Sequence, residues 1–593
     1  MERNFDRDEV VMQPFDRKQF LRLLGFLKPQ KKGMAAALGL MCIAAVTAQL
    51  GPYLFKIAID QAIPQRDFHL INLLGLGYLG LALFHWLCAY SRTLIMSQVG
   101  QNVLYTMRKQ LFDHLQTLSF RFYDTRPAGK IMVRITSDVN TINQLLTNGI
   151  VNMIAELFNL LVIVILMLSM HTKLALLSFT ILPILAVFAF SLRPEIRRRW
   201  YNVRLKLSSI NAYLNESIMG MRITQAFTRE TLNQTKFVQL NDNFLDASTQ
   251  AIKLNALFMP IVEIVAAFGT GLVIWYGTNL IKTGSVTVGI LVAFLNYLWR
   301  FWVPINMLAS FYTQIQTAMA SSQRVFEILD TKPDIKNAPC AIELPPIRGQ
   351  VSFERVNFGY DPGQLVLRDF TLKVQPGQTI ALVGPTGAGK TSIINLLTRF
   401  YEPQSGRITI DGIDIKKVTL ESLRSQIGIV LQDTFIFSGP IKENLRYGKL
   451  DATMQEIIEA AKIVNAHDFI VNFPEGYDTE VEERGAKLSV GQRQLIAFAR
   501  ALLLDPKILI LDEATSSIDT ETELLIQQAL TKLLKGRTSF VIAHRLSTIQ
   551  NADQIVVIDH GRIVEQGNHK QLLCHNGLYR ALCEAQLKPS LIV

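Results

Sequence analysis

The stretch Gly384-Pro385-Thr386-Gly387-Ala388-Gly389-Lys390-Thr391 has the spacing G-x-x-x-x-G-K-[ST], a loop that cradles phosphate. Its three glycines let backbone N–H groups turn toward an anion, and the N-terminus of a following helix adds partial positive charge. Lys390 then reaches the β- and γ-phosphates of a nucleotide, and Thr391 offers its hydroxyl to Mg²⁺. Ser392 completes the set expected to bind the nucleotide on this loop. The chemistry requires a strand before the loop and a helix after it. Residues 379–383 read as a short buried strand, and Ile393, Ile394, Leu396, Leu397 and Phe400 recur at helical spacing.

Three further apolar runs end in residues that serve the same chemistry. Residues 427–431 end at Gln432, 508–511 at Asp512-Glu513, and 540–543 at His544. In an α/β domain with a mostly parallel sheet, ligands sit at the carboxyl ends of the strands, so these side chains are expected to converge on the loop. Asp512 and Gln432 are candidate Mg²⁺ ligands. Glu513 is the candidate general base for the attacking water, Gln432 can orient that water, and His544 can hydrogen-bond the γ-phosphate. Leu488-Ser489-Val490-Gly491-Gln492 opens a separate helical run, with Ser489 and Gln492 at capping-box spacing. One domain thus has two helix starts aimed at an anion, and the second most economically serves an ATP bound to another domain.

The elements that must carry these residues occupy less than half of the 593-residue chain. Composition explains the rest: 49% of residues are hydrophobic and only 18% charged, with a mean hydropathy of +0.24, which points to a membrane portion. The net charge of +11 comes largely from Lys and Arg flanking apolar runs. Positive-inside anchoring accounts for it, and nucleic acid is not an expected partner. Five cysteines without metal spacing fit a reducing cytosol.

Residues 1–33 are polar and basic, with no signal-peptide core, and so stay in the cytoplasm. Within them, residues 20–27 suit a helix lying in the membrane interface. Apolar segments at about 34–55, 70–90, 150–170, 174–192, 256–281 and 286–310 each approach the roughly 20 residues that a crossing helix needs. The six passes return the chain to the cytoplasm through short outer links and two inner links of about 60 residues. Each inner link fits a helical hairpin reaching on the order of 40 Å inward, with its tip near Arg126-Pro127-Ala128-Gly129 or near Gly220. A charge inside a span is costly, so Glu156 and Glu263 are candidate substrate contacts. Arg300 is a candidate counter-charge for Glu263, and His85 suits a hydrogen-bonded packing role. The expected plan is a cytoplasmic segment 1–33, a transmembrane domain 34–325, a linker 326–348 and a nucleotide-binding domain 349–593.

Taken together, these motifs resemble those of the ATP-binding cassette exporters, in particular the bacterial multidrug-resistance-like half-transporters that pair with a different half. In that resemblance Gly384–Thr391 is Walker A, Gln432 the Q-loop, 488–492 the signature, 508–513 Walker B, 516–519 the D-loop and His544 the switch histidine. Tyr360 matches the aromatic that stacks on adenine. The resemblance implies an α-helical six-span domain with long cytoplasmic hairpins, followed by an α/β P-loop ATPase. Its cofactors are ATP and Mg²⁺, sandwiched between the cassettes of two such chains. It also implies export of a small lipophilic substrate across the cytoplasmic membrane, in contact with membrane lipid. The sequence departs from the family at Val490, Glu482 and Ile518, where glycine, glycine and leucine are usual. Val490 favours an unlike partner, because a β-branched residue restricts a phosphate-contacting turn. The stretch before the first pass is too short for a peptidase domain, which counts against a peptide-processing exporter. The competing expectations are a homodimeric lipid flippase, a membrane-associated cassette ATPase, and a ligand-gated channel that does not pump.

Overall fold

The structure, a computed structural model, describes residues 16–361, 363–432, 434–512, 520–542 and 549–587. It divides into two compact units. The first holds the residues up to Gln116 together with Gly129–Asp330, and the second holds Thr117–Ala128 with the residues from Thr331 onward.

The first unit is helical. Its order is α1 (Arg17–Gly25), α2 (Lys31–Ile57) and α3 (Phe68–Thr117), followed beyond the excursion of 117–128 by α5 (Ala128–Val133), α6 (Val139–Gln144) and α7 (Ile150–Met170). Then come α8 (Thr172–Phe179), α9 (Ile181–Met219), α10 (Met221–Ala226), α11 (Glu230–Ala256), α12 (Phe258–Lys282) and α13 (Val288–Asp330). Among the described residues, four stretches, Lys28–Ala62, Phe68–Thr117, Ala128–Met170 and Glu230–Lys282, are long and apolar enough to cross a membrane by length and composition alone. The other two expected passes fall on α8–α9 and on α13. At 1.5 Å per residue the 50 residues of α3 run about 75 Å, far beyond a roughly 30 Å hydrocarbon layer. Its apolar first part is therefore the pass, and its polar remainder is one arm of a hairpin.

One pass differs from expectation. The fourth, read from periodicity as a single helix over 174–192, breaks at Thr180 into α8 and α9. Pro183 lies three residues on; it has no N–H to continue the ladder and is tolerated only in the first turn of a new helix. The second hairpin turns at Gly220, where the short helix α10 follows as expected.

Packing in this unit centres on α13. Phe294, Tyr297 and Phe301 are buried with Ile163 and Met167 of α7. Further along α13, Arg324 makes a two-pronged bond to Asp138, at 2.8 and 2.5 Å. α1 differs from the free interfacial helix suggested by its amphipathic pattern. Leu23 is fully buried, Arg22 makes two 2.7 Å bonds to Asp330, and Gln19 donates to Ser322 Oγ. The Arg22 guanidinium holds the Asp330 carboxyl below the usual carboxylate range. α1 is thereby clamped to the end of α13.

In the second unit, α4 (Phe120–Asp124) precedes, among the described residues, twelve strands. A mixed sheet has the order β12-β11-β3-β10-β9-β6, formed by β3 (Thr379–Val383), β6 (Ile427–Val430), β9 (Ile508–Asp512), β10 (Thr538–Ile542), β11 (Gln554–Asp559) and β12 (Arg562–Gly567). All its pairings are parallel except that of β11 with β12. Both faces are covered, which is why its central strands read as unbroken apolar runs. Ile380 and Leu382 of β3 enter one core with Ile393, Leu397 and Phe540, while Ala381 and Val383 enter the other with Leu495, Ile496 and Leu511. An antiparallel sheet β2-β1-β4-β5 adds β1 (Val351–Phe358), β2 (Leu367–Val374), β4 (Ser405–Ile410) and β5 (Ile413–Asp414). A short pair consists of β7 (Gly439–Pro440) and β8 (Glu480–Val481).

Candidate functional site

Because β3, β10, β9 and β6 run parallel, their carboxyl ends share one edge of the sheet. Register makes this concrete: Ile542 pairs with both Leu382 and Asp512, so the end of β9 stands level with the end of β3, where the glycine loop begins. A cavity of about 580 Å³ lies at this edge. The loop contributes Thr386, Gly387, Gly389, Lys390, Thr391 and Ser392 to its wall, and the strand ends contribute Gln432 and Asp512. Tyr360 closes one side. Residues far apart in sequence, singled out by type and position, thus line one cavity.

The loop's shape depends on its glycines. Gly384 has φ +153°, and a Cβ there would fall 2.1 Å from the carbonyl oxygen of Ile558. Gly389, at φ +107°, is the left-handed residue from which helix α14 (Lys390–Leu397) starts. Lys390 is buried at the head of that helix, where Nζ donates to the carbonyls of Gly384 and Pro385 at 2.7 and 2.9 Å. Burial lowers its pKa from the ordinary lysine value, and the Asp512 carboxylate opposes that shift. Ala388 is buried beneath the loop.

Tyr360 is held by its hydroxyl, which meets Ser392 Oγ at 3.1 Å and accepts from Asn395 Nδ2 at 3.2 Å. Its ring lies edge-on to Phe358 and Tyr401. The hairpin tip α4 belongs to the same unit and reaches these residues. Arg121 donates to the Tyr360 carbonyl at 3.3 Å, the Tyr401 hydroxyl donates to Asp124 at 2.6 Å, and Phe120 stacks on Phe400. Burial and the bond to Asp124 push the Tyr401 pKa well up, so that hydroxyl keeps its proton and its role as donor.

Thr391, Gln432 and Asp512 give the cavity a neutral oxygen, an amide oxygen and a carboxylate. This donor set fits a hard divalent cation that keeps waters and takes its remaining ligands from phosphate. Among the described residues no cluster of three His, Cys, Asp or Glu offers an all-protein metal cage.

Ser489, Gly491 and Gln492 do not line this cavity. They form the start of the Val490–Leu503 helix, with a complete capping box: Gln492 N donates to Ser489 Oγ at 3.2 Å, and Ser489 N donates to Gln492 Oε1 at 2.9 Å. Val490 is the first helical residue, is 48% exposed and is not among the residues with positive φ. The backbone here therefore does not need glycine, and any effect of Val490 comes from its side chain. Glu513, His544 and the D-loop residues 516–519 lie outside the described residues. Periodicity missed Val366 and Ile542, apolar members of the wall, because nothing in their type marks them as site residues.

In the membrane unit Glu156 and Glu263 have different settings. Glu156 is half-buried and accepts from Asn159 Nδ2 at 3.4 Å; Asn159 in turn accepts from Gln49 of α2 at 2.6 Å. Glu263 is exposed on α12. Arg300 donates to the Ala48 carbonyl and forms no ion pair with Glu263 among the described residues, while His85 sits 3.0 Å from the Ala44 carbonyl.

The family model of the ABC transporter transmembrane region matches residues 34–302, and that of the ABC transporter matches 367–516. The chain is 47% identical to the uncharacterized ABC transporter ATP-binding protein YknV of Bacillus subtilis (strain 168), over 98% of this chain and 97% of that one. Its fold matches that of a bacterial Atm1-family ABC exporter with ATP bound, at a TM-score of 0.78 and 30% identity, covering 95% of this chain and 99% of the other. This chain is an ABC exporter. As an exporter it joins a multi-pass membrane domain to an ATPase domain, and ATP hydrolysis drives transport. ABC exporters function as dimers. Another relative, 38% identical over 96% of this chain and 94% of its own length, is an ATP-dependent lipid A-core flippase of Syntrophus aciditrophicus (strain SB).

Proposed function

We propose that this exporter moves lipophilic or amphipathic molecules, in the manner of multidrug efflux, across the cytoplasmic membrane, with its N-terminus and ATPase domain in the cytoplasm. Each ATP site joins the Walker residues of one chain to the capped signature helix of another. The observation that carries this reading is the separation of the two phosphate-directed helix starts: Lys390, Thr391, Gln432 and Asp512 share a cavity that Ser489, Gly491 and Gln492 do not line. In this scheme Tyr360 stacks on adenine and the loop N–H groups and Lys390 hold the phosphates. Thr391, Asp512 and Gln432 would hold Mg²⁺, which supplies charge neutralisation at the phosphates when bound. Glu513 takes a proton from the attacking water, and His544 donates to the γ-phosphate. Ser489, Gly491 and Gln492 present the signature helix N-terminus to the ATP of the other chain.

A second reading, an unlike pair, is favoured by Val490. Its half-exposed isopropyl group stands at the leading edge of the signature helix, where a phosphate would approach. Identifying the neighbouring chain in the membrane decides between like and unlike pairs.

Glu156 and Glu263 place two carboxylates on apolar helices, and cationic amphipaths are the substrates such groups attract. Glu156→Gln and Glu263→Gln are expected to weaken transport of cationic dyes several-fold while sparing neutral substrates. Dye efflux from cells or proteoliposomes reads this out. Equal loss for both substrate classes, or no loss, assigns the glutamates to structure.

A further inference from the structure

A second cavity, of about 370 Å³, opens in the membrane unit between α3 and residues 143–152. That volume is within the range of small-molecule sites, roughly 300–1,000 Å³. Its lining is polar, with Ser97 and Gln101 on α3 facing Asn143, Asn148 and Asn152. Arg92 is the one charged side chain of the lining, with no acidic neighbour in it. An anion is therefore the charge this cavity favours.

Three local features point to a built site. The far wall includes the π-helical turn Leu145–Gly149, and such turns recur at functional sites. Gly100 leaves the space that the wall uses, since a Cβ there would lie 3.3 Å from both Asn143 Nδ2 and Thr147 Cγ2. Asn143 Oδ1 is buried without a hydrogen-bond partner. A buried amide oxygen is costly to leave unpaired, and a donor brought in by a ligand is one way to satisfy it.

The position of the cavity narrows the ligand further. Arg92 lies two residues beyond the apolar run 70–90, and α7 opens at Ile150, so the cavity lies where two passes meet the long hairpins. Leu87 on α3, and Ile154 and Leu157 on α7, are exposed apolar residues within the two passes. We propose that the cavity binds the headgroup of an anionic, hydroxyl-bearing phospholipid of the phosphatidylglycerol type. The phosphate pairs with Arg92, the glycerol hydroxyls donate to the asparagine amides, and the acyl chains lie on the apolar surface of α3 and α7. Phosphatidylcholine has no headgroup donor and fits less well. Such a lipid site is independent of which molecule the protein exports.

The test uses the full-length protein in phosphatidylcholine nanodiscs titrated with dioctanoyl phosphatidylglycerol, with bound lipid counted by native mass spectrometry. Saturable binding is expected, and Arg92→Gln should weaken it about tenfold, the value of one charge-assisted contact. Ser97→Leu, which fills the mouth, should do the same. Lys109→Gln, on α3 but outside the lining, should leave binding unchanged. Retained ATPase activity in each variant shows that it has folded, and Asn143→Leu stands in where one has not. Inorganic phosphate and glycerol 3-phosphate form the second arm, and neither is expected to displace the lipid at equal concentration. Unchanged lipid binding in Arg92→Gln and Ser97→Leu overturns the proposal. Displacement by either soluble phosphate at comparable affinity also overturns it, because the ligand is then not a lipid.

Discussion

Glu513→Gln is expected to lower steady-state ATP turnover at least about 100-fold while the protein still retains ATP, the effect of removing a general base. Asp512 ends β9 level with Leu382 of β3 and lines the cavity with Thr391 and Gln432, and Glu513 is the residue next to it in the sequence. The amide of glutamine can still hydrogen-bond a water but cannot accept its proton. Binding rests on other groups, namely the loop, Lys390 and Tyr360, so nucleotide retention should survive. Phosphate release and retained labelled ATP are measured on the same preparation. Near-normal hydrolysis removes Glu513 from the catalytic role.

Lys390→Ala is expected to fail earlier, at binding. The ammonium group is buried at the head of α14 and bonded to the Gly384 and Pro385 carbonyls. Its truncation therefore removes both a charge for phosphate and a brace across the loop. A lost preorganised phosphate donor costs on the order of 10² to 10³ in rate. Weaker nucleotide binding should accompany that loss, in contrast to Glu513→Gln. Fluorescent-nucleotide titration beside steady-state ATPase separates the two variants. If Lys390→Ala binds ATP like the unaltered protein, the lysine is a brace alone.

Much of the cavity at the strand ends was legible in the sequence because a parallel sheet converts a one-dimensional pattern into a shared edge. An apolar run that ends in a polar residue says where that residue goes, and Gln432 and Asp512 were found in this way. The glycine loop was legible for a different reason, since its glycines are required by backbone angles and close approaches that no other residue meets. Val366 and Ile542 carry no such mark, because an apolar wall residue looks like any core residue. In the membrane unit, periodicity located the passes but not their interruptions. The helical spacing of 174–192 continues through Thr180, and Pro183 was the signal for the break. α1 shows the limit of local pattern most plainly. Its amphipathic face suits a lipid interface, yet Arg22 binds Asp330, 308 residues away, and no window of the sequence contains both. The Gln49–Asn159–Glu156 chain was invisible for the same reason, since the hydrogen bonds join different helices.

The separation of Ser489 from the Walker cavity leads to one direct measurement. A photo-crosslinking amino acid is placed at position 489 in the Glu513→Gln background, and membranes are irradiated with and without ATP. The account predicts an ATP-dependent product larger than the 66.8 kDa chain, in which residue 489 is joined to the glycine loop of a second chain. Peptide sequencing of that product also tells whether the second chain is a copy or a distinct half. A crosslink within one chain, from residue 489 to its own residues 384–391, would contradict the shared ATP site.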